Sequence, residues 1–332
     1  MAGARDIPKP RDATRLVGLE ATEAAFLAAL ERGRLHHAWL LTGPEGVGKA
    51  TFAYRAARRL LGARPAPAHG ALGADPDDPV FRQVAGRAHP DLLTLEREGP
   101  DGKARRSIPV EEARALPEFF AKSPGRAAYR VAIIDTADDL TPNAANAVLK
   151  TLEEPPARGV LFLVSHRPGA LLPTIRSRCR RLAFAAPPTE SAARWVGDQA
   201  GVTAEAALAL LKIARGAPGR AWRLAASNAL EIDAAARRLV DRLPTLDPAE
   251  ALGLADAFRG PEGAERFALA FDRIGAALHE RAAAAAQDGR GVFDHWAEAW
   301  SMLGDLAGET EAINLDRGDA LFTALGRLAA IA

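Results

Sequence analysis

Gly43-Pro-Glu-Gly46-Val-Gly48-Lys49-Ala50 lies between an apolar run, Trp39–Leu41, that reads as a strand and a segment, Lys49–Leu61, whose apolar residues recur at helical spacing. Strand, glycine-rich turn and helix in that order are the setting of a phosphate loop, G-x-x-x-x-G-K-[S/T]. In such a loop the backbone N–H groups point inward and the helix N-terminus adds positive potential. Gly43 and Gly48 permit the tight turn, Gly46 counts with them among the candidate nucleotide-binding residues, and Lys49 is placed to neutralise β and γ phosphates. The last position departs from the pattern: it needs a hydroxyl to hold Mg²⁺, and here it is Ala50. Thr51 has a hydroxyl one residue later, but a helical step turns it about 100° away, so Thr51 reads as a helix-face residue.

Outward from this loop the first half alternates strands and helices. Gly62–Asp78, rich in Pro, Gly and Ala, reads as a loop, and Leu92–Leu95, Val131–Ile134 and Val160–Val164 as strands. The last two are continuous apolar runs, as expected of strands covered on both faces. Pro142–Glu154 reads as a helix between them, with Thr141 as N-cap, Pro142 at the first helical position and Pro155–Pro156 as its stop. Strand, helix, strand implies a parallel α/β sheet. Val131-Ala-Ile-Ile-Asp135 is an apolar strand ending in the aspartate that helps hold a metal in phosphate-loop ATPases. Where an AAA+ ATPase carries the glutamate that orients the attacking water, this chain has Thr136, and Asp138 and Asp139 are expected in the turn before the next helix. With Ala50 and Thr136 both out of pattern, ATP or ADP is expected to bind, if at all, through Lys49 and the loop backbone, without efficient hydrolysis.

After Phe184 only helical periodicity remains, with Pro187–Pro188 at the boundary. A small helical unit runs to about Ser227, and an Ala- and Leu-rich helical block follows, broken by turns at Leu243–Pro244 and Gly260–Gly263; the polar stretch Gly99–Arg106 reads as a hairpin or loop. The expectation is three domains: an α/β module over 1–185, a helical lid over 186–230 and a helical collar over 231–332. The 332 residues fit two or three domains. A net charge of +1 argues against a large uniform basic surface. The single cysteine, Cys179, allows no intramolecular disulfide and no cysteine-rich zinc site. The opening MAGARDIPKPRD has no apolar signal core and no run approaches the length of a membrane span, so a cytoplasmic location with no membrane partner is expected.

The most specific signal is Leu172-Pro-Thr-Ile-Arg-Ser177-Arg178-Cys179, placed after the Val160–Val164 strand at the end of the α/β part. The order phosphate loop, VAIIDTADDLTPNAANAVLKTLEEPP, then RSRC resembles bacterial clamp-loader subunits, and among them the delta-prime subunits of DNA polymerase III. RLHHAWLLTG and AHPDLLTLERE fit the same family. The likeness is strong from Leu16 to Phe184, weaker over the lid, and confined in the last block to INLDRGDALFTAL. It implies an AAA+-type module with lid and collar, in a complex with gamma/tau ATPase subunits and a delta subunit that places the sliding clamp on primed DNA. It also implies that the Ser177-Arg178-Cys179 motif supplies an arginine finger, Arg178, to the γ-phosphate of ATP on the adjacent subunit. A guanidinium stays charged and forks its donors onto phosphate oxygens, which suits that role.

The chain departs from the family in one visible respect. Many relatives carry four zinc-binding cysteines between the phosphate-loop helix and the HPD segment; Gly62–Ala88 has none, and His69 with His89 cannot complete a tetrahedral site, so no zinc is expected. Ser165 or His166 takes the place of the polar sensor after the Val160–Val164 strand, and the arginine of Gly216-Ala-Pro-Gly-Arg220 is displaced by one residue from the second sensor, so it is assigned no nucleotide contact.

Other residues carry blander readings. His36 and His37, being adjacent, are expected to point apart and serve structure. Glu153–Glu154 at a helix end are assigned no catalysis. Arg176, Arg178, Arg180 and Arg181 form a basic cluster that serves a strand and a subunit interface rather than DNA phosphate. Trp222, Trp296 and Trp300 read as core or interface. Two rival functions stand beside the main one. An active motor ATPase of the same loader is opposed by Ala50, Thr136 and the missing cysteines, and a stand-alone DNA-binding module by the net charge.

Overall fold

The computed structural model describes residues 8–99, 105–260, 262–287 and 293–331, with side chains at all of them but 285–287 and 293–297. The expected hairpin or loop over 99–106 and the turn over 260–263 thus fall largely or partly outside the described residues, and the Trp296 side chain outside them altogether. The chain gathers into two compact units, Met1–Gly201 with Arg215–Ala221, and Val202–Ala214 with Trp222–Ala332. Thr189–Ala200 and Arg215–Ala221, both within the expected lid, group with the sheet.

The first unit runs α1 (Glu20–Glu31), β1 (Ala38–Thr42), α2 (Lys49–Leu60), α3 (Pro79–Ala85), β2 (Leu92–Glu96), α4 (Val110–Ala121), β3 (Arg130–Asp135), α5 (Pro142–Glu153), β4 (Gly159–Ser165), α6 (Pro173–Arg178), β5 (Arg180–Ala183) and α7 (Thr189–Ala200). The strands form one sheet in the order β2-β3-β4-β1-β5, every pair parallel. Successive side chains of a strand face opposite sides. On one side Trp39, Leu41, Ile133, Phe162 and Val164 pack with Phe26 of α1 and Phe52 of α2. On the other, Ala38, Leu40, Ile134, Leu161 and Leu163 pack with Leu116 of α4, Val148 of α5 and Ile175 of α6. Both faces being covered, β1 and β4 are buried along their whole length, which is why they read as unbroken apolar runs. Thr141 caps α5 as expected, its side chain accepting from the Ala144 N–H at 3.2 Å.

The interval after α2 is held by charge. Arg55 of α2 is buried and its Nε pairs with Glu23 of α1 at 2.5 Å. The same guanidinium donates to the His69 carbonyl at 2.6 Å and to the Thr14 carbonyl. One turn on, Arg58 donates to the Ala13 carbonyl at 2.8 Å and lies 3.8 Å over the Phe81 ring. These two arginines tie the N-terminal segment and the middle of the Gly62–Asp78 interval to the sheet module.

The second unit contains α8 (Ala204–Ile213), the second half of α9 (Pro218–Ala225), α10 (Ala229–Asp241), α11 (Pro248–Asp256), α12 (Gly263–Gln287), α13 (Phe293–Ala312) and α14 (Arg317–Ile331). Ile232, Ala236 and Leu239 of α10 recur on one buried face. Arg273 of α12 pairs with Asp233 of α10 at 2.5 Å, and Arg237 joins Asp233 to Glu280. Trp222 is buried, whereas Trp300 is 64 % exposed and is no core residue. Among the described residues no helix is long and apolar enough to cross a membrane.

Candidate functional site: a phosphate loop and an outward arginine

β1 ends at Thr42 and the chain turns at once through Gly43, Gly46 and Gly48, with φ of +146°, +78° and +103°. Gly48 is the left-handed residue that opens α2, and its carbonyl accepts the Phe52 N–H at 2.9 Å. Gly46 has a packing reason as well: a Cβ there would stand 2.4 Å from the Arg220 backbone nitrogen. The Gly219 N–H donates to the Gly46 carbonyl at 2.9 Å, so the Gly216–Arg220 segment closes on the loop through its backbone.

Lys49 is buried, and its Nζ donates to the Gly43 and Pro44 carbonyls at 2.7 and 2.6 Å. Burial draws its pKa down to about 8, against the attraction of Asp135, Glu45 and Asp138. Ala50 presents a methyl that packs on the apolar core. Thr51 is half-buried on α2.

The register of β2 on β3 sets Glu96 beside Asp135. Burial first, and then the Glu96 charge, push Asp135 up to about 7, with Lys49 opposing. Glu96 accepts from the Tyr54 hydroxyl and pairs with Arg87, and with Arg11 at 3.5 Å. Asp138 and Asp139 lie in a short 3₁₀ turn before α5, as expected. Both are engaged. Asp139 accepts from the Thr136 hydroxyl at 2.9 Å and pairs with Arg97 at 3.2 Å. Asp138 accepts from the Ser165 hydroxyl at 2.8 Å and the His166 N–H at 2.5 Å. Of the two sensor candidates, Ser165 is therefore committed to Asp138. His166 is half-buried, its pKa lowered by burial and next by Lys49.

Arg178 is the last residue of α6. Its Nη1 donates to the Thr174 carbonyl at 3.1 Å, and its Nη2 stands 2.9 Å from Glu153 Oε1 at the end of α5. The Arg178 side chain is 36 % exposed and that of Glu153 51 % exposed. Ser177 donates to the Thr174 carbonyl at 3.1 Å. Cys179 follows α6, packed on the core, and burial pushes its thiol up to about 12. Arg180 and Arg181 belong to β5, the first lying 5.0 Å over the Trp39 ring and the second donating to Thr42 Oγ1 at 3.2 Å. Of the four clustered arginines, Arg180 and Arg181 thus serve a strand, whereas Arg176 and Arg178 lie on α6.

Three features lay beyond the sequence reading. Glu153 holds Arg178, yet nothing local in LKTLEEPP marks it for that. Glu96 flanks Asp135, which only strand register reveals. His36 and His37 do not point apart: their rings stack at 4.4 Å, because the chain before β1 is irregular and His36 Nδ1 lies against the Ala38 backbone.

A parallel sheet ordered β2-β3-β4-β1-β5, with a phosphate loop after the strand next to its edge and an aspartate ending β3, defines a phosphate-loop module of the AAA+ type. Residues 18–188 match the model of the family described as DNA polymerase III, delta subunit, and the chain belongs to that family. It is 34 % identical over 265 residues to the DNA polymerase III subunit delta′ of Yersinia pestis, which covers 73 % of this chain and 76 % of that one. It is 38 % identical over 197 residues to the subunit of the same name from Pseudomonas aeruginosa, 58 % of this chain and 57 % of that protein's length. The gamma/tau subunit of Mycobacterium tuberculosis is 31 % identical over 176 residues, 53 % of this chain and 29 % of that one.

Proposed function

We propose that this chain is the delta-prime-type subunit of a bacterial clamp loader, silent at its own phosphate loop and donor of Arg178 to an adjacent ATPase subunit. The observation that carries the reading is the contrast between the two places. Arg178 stands at the surface at the end of a helix, with a guanidinium suited to phosphate. At the loop, Ala50 brings a methyl where a metal needs a hydroxyl, and Thr136 turns its hydroxyl to Asp139 where a catalytic base would stand. Lys49 is engaged with two carbonyls of its own loop, and Asp135 stands beside a second carboxylate, Glu96. The residues present do not fit a magnesium-bound triphosphate. A nucleotide entering the loop would meet Lys49 and backbone amides and no means of efficient hydrolysis.

In this reading the partners are the gamma/tau and delta subunits and, through the complex, the sliding clamp and primed DNA. The helices after Phe184 act as lid and collar. The test is ATP hydrolysis in two settings. The reading predicts no Mg²⁺-dependent turnover by the isolated chain, and turnover by the reconstituted complex. Turnover by the isolated chain that Lys49→Ala abolishes would instead favour an active motor subunit. Tight, salt-sensitive DNA binding by the isolated chain would favour a DNA-binding module.

A further inference from the structure

The arginine assigned to the neighbour is already gripped by its own chain. Its two terminal nitrogens each have an acceptor, the Thr174 carbonyl at 3.1 Å and Glu153 Oε1 at 2.9 Å. A guanidinium seizes a phosphate through a fork of two parallel N–H donors. These contacts engage two of the five N–H donors, so they do not block the fork, but they hold the guanidinium toward Glu153, and turning it onto a phosphate loosens one of them.

Glu153 is the one that yields. The Thr174 carbonyl belongs to the helix that carries Arg178, whereas Glu153 belongs to a different helix, α5. As the last residue of α5, the Glu153 carboxylate sits at the negative end of the helix dipole, an unfavourable place for its charge. Arg178 offsets that charge at rest. The two side chains are 36 % and 51 % exposed, so water screens the pair and holds its strength to that of a surface ion pair. A terminal phosphate, with more charge and three acceptor oxygens, outcompetes a single carboxylate for the guanidinium.

We propose that Glu153 is a positioning residue for Arg178: it clasps the guanidinium at rest and releases it to the terminal phosphate of a nucleoside triphosphate on the adjacent subunit. The clasp lowers the share of Arg178 free to reach the neighbour until a triphosphate competes for it. The inference rests on the trans-arginine reading above.

The test is steady-state ATP hydrolysis by the reconstituted complex carrying the wild-type chain, Glu153→Gln, Arg178→Ala or both changes. Glu153→Gln is expected to raise kcat/KM for ATP by up to about fivefold, the factor a surface ion pair holds back, mainly through a lower KM. In the Arg178→Ala background the same change is expected to have no effect, since Glu153 acts through that arginine. An unchanged or lower kcat/KM with Glu153→Gln, while Arg178→Ala still cuts the rate, overturns the clasp and leaves the trans-arginine reading standing. An equal rise in both backgrounds also overturns the clasp. A rate indifferent to Arg178→Ala overturns both.

Discussion

Arg178 Nη2 lies 2.9 Å from Glu153 Oε1, an ion pair between the last residues of two helices, α6 and α5, that follow and precede β4 in the chain and pack on the same face of the sheet. Both groups are at the surface, so the pair adds little to folding. Glu153→Gln is expected to change the stability of the isolated chain by less than about 1 kcal/mol in urea denaturation. A loss of several kcal/mol would show that the pair holds the fold together.

Asp135 and Lys49 give the phosphate loop a pH signature. Asp135 is raised from 3.8 to about 7, so between those values the folded chain holds a proton that the unfolded chain has released, and stability falls as pH rises. Lys49 is lowered from 10.5 to about 8, so across that window the unfolded chain holds the extra proton and stability rises with pH. Asp135→Asn removes the first slope. The variant is expected to be more stable than wild type at pH 8 by about 1–3 kcal/mol, with no gain at pH 4. Equal effects at both pH values in urea denaturation would contradict this.

Asp91 of the HPD segment is buried and accepts the N–H groups of Gly125, Arg126 and Ala127 at 2.8, 2.9 and 3.2 Å. Burial alone would raise its pKa, but the three donors together outweigh it and hold the carboxyl below its ordinary value. The stabilisation is thus present above the ordinary carboxylate range and lost as pH falls through the depressed value. Asp91→Ala is expected to cost about 2–4 kcal/mol at pH 7, less in acid, and to speed hydrogen exchange at Gly125 and Arg126. Unchanged exchange there would contradict the anchoring role.

Glu23 and Arg55 form a buried pair that holds the interval after α2. Glu23→Ala leaves a buried guanidinium with no countercharge and is expected to cost about 3–5 kcal/mol, whereas replacing both residues by methionine costs less. Limited proteolysis of Glu23→Ala should show faster cleavage within Gly62–Asp78. A cleavage rate equal to wild type would show that the pair does not secure this interval.

The features legible in the sequence were local ones. The phosphate loop, the strand ending at Asp135 and the Thr141 cap each occupy a few consecutive residues, and their chemistry is set by neighbours in the chain. The order of strands was not legible, because no local rule puts β1 between β4 and β5. Glu96 reaches Asp135 only through that pairing. Nor was Arg55 legible as a core residue: charge on a helix normally marks a solvated face, and burial became tolerable only because Glu23 arrives from α1. The grip of Glu153 on Arg178 is hidden for the same reason, since its two partners end separate helices.

The central claim is that this chain acts on a neighbour's nucleotide through Arg178, and single-turnover ATP hydrolysis by the adjacent ATPase subunit in the assembled complex tests it most directly. With assembly verified by size-exclusion chromatography, Arg178→Ala is expected to slow that turnover by about 10³-fold or more. An unchanged rate in an intact complex would contradict the claim and reduce Arg178 to a surface arginine paired with Glu153.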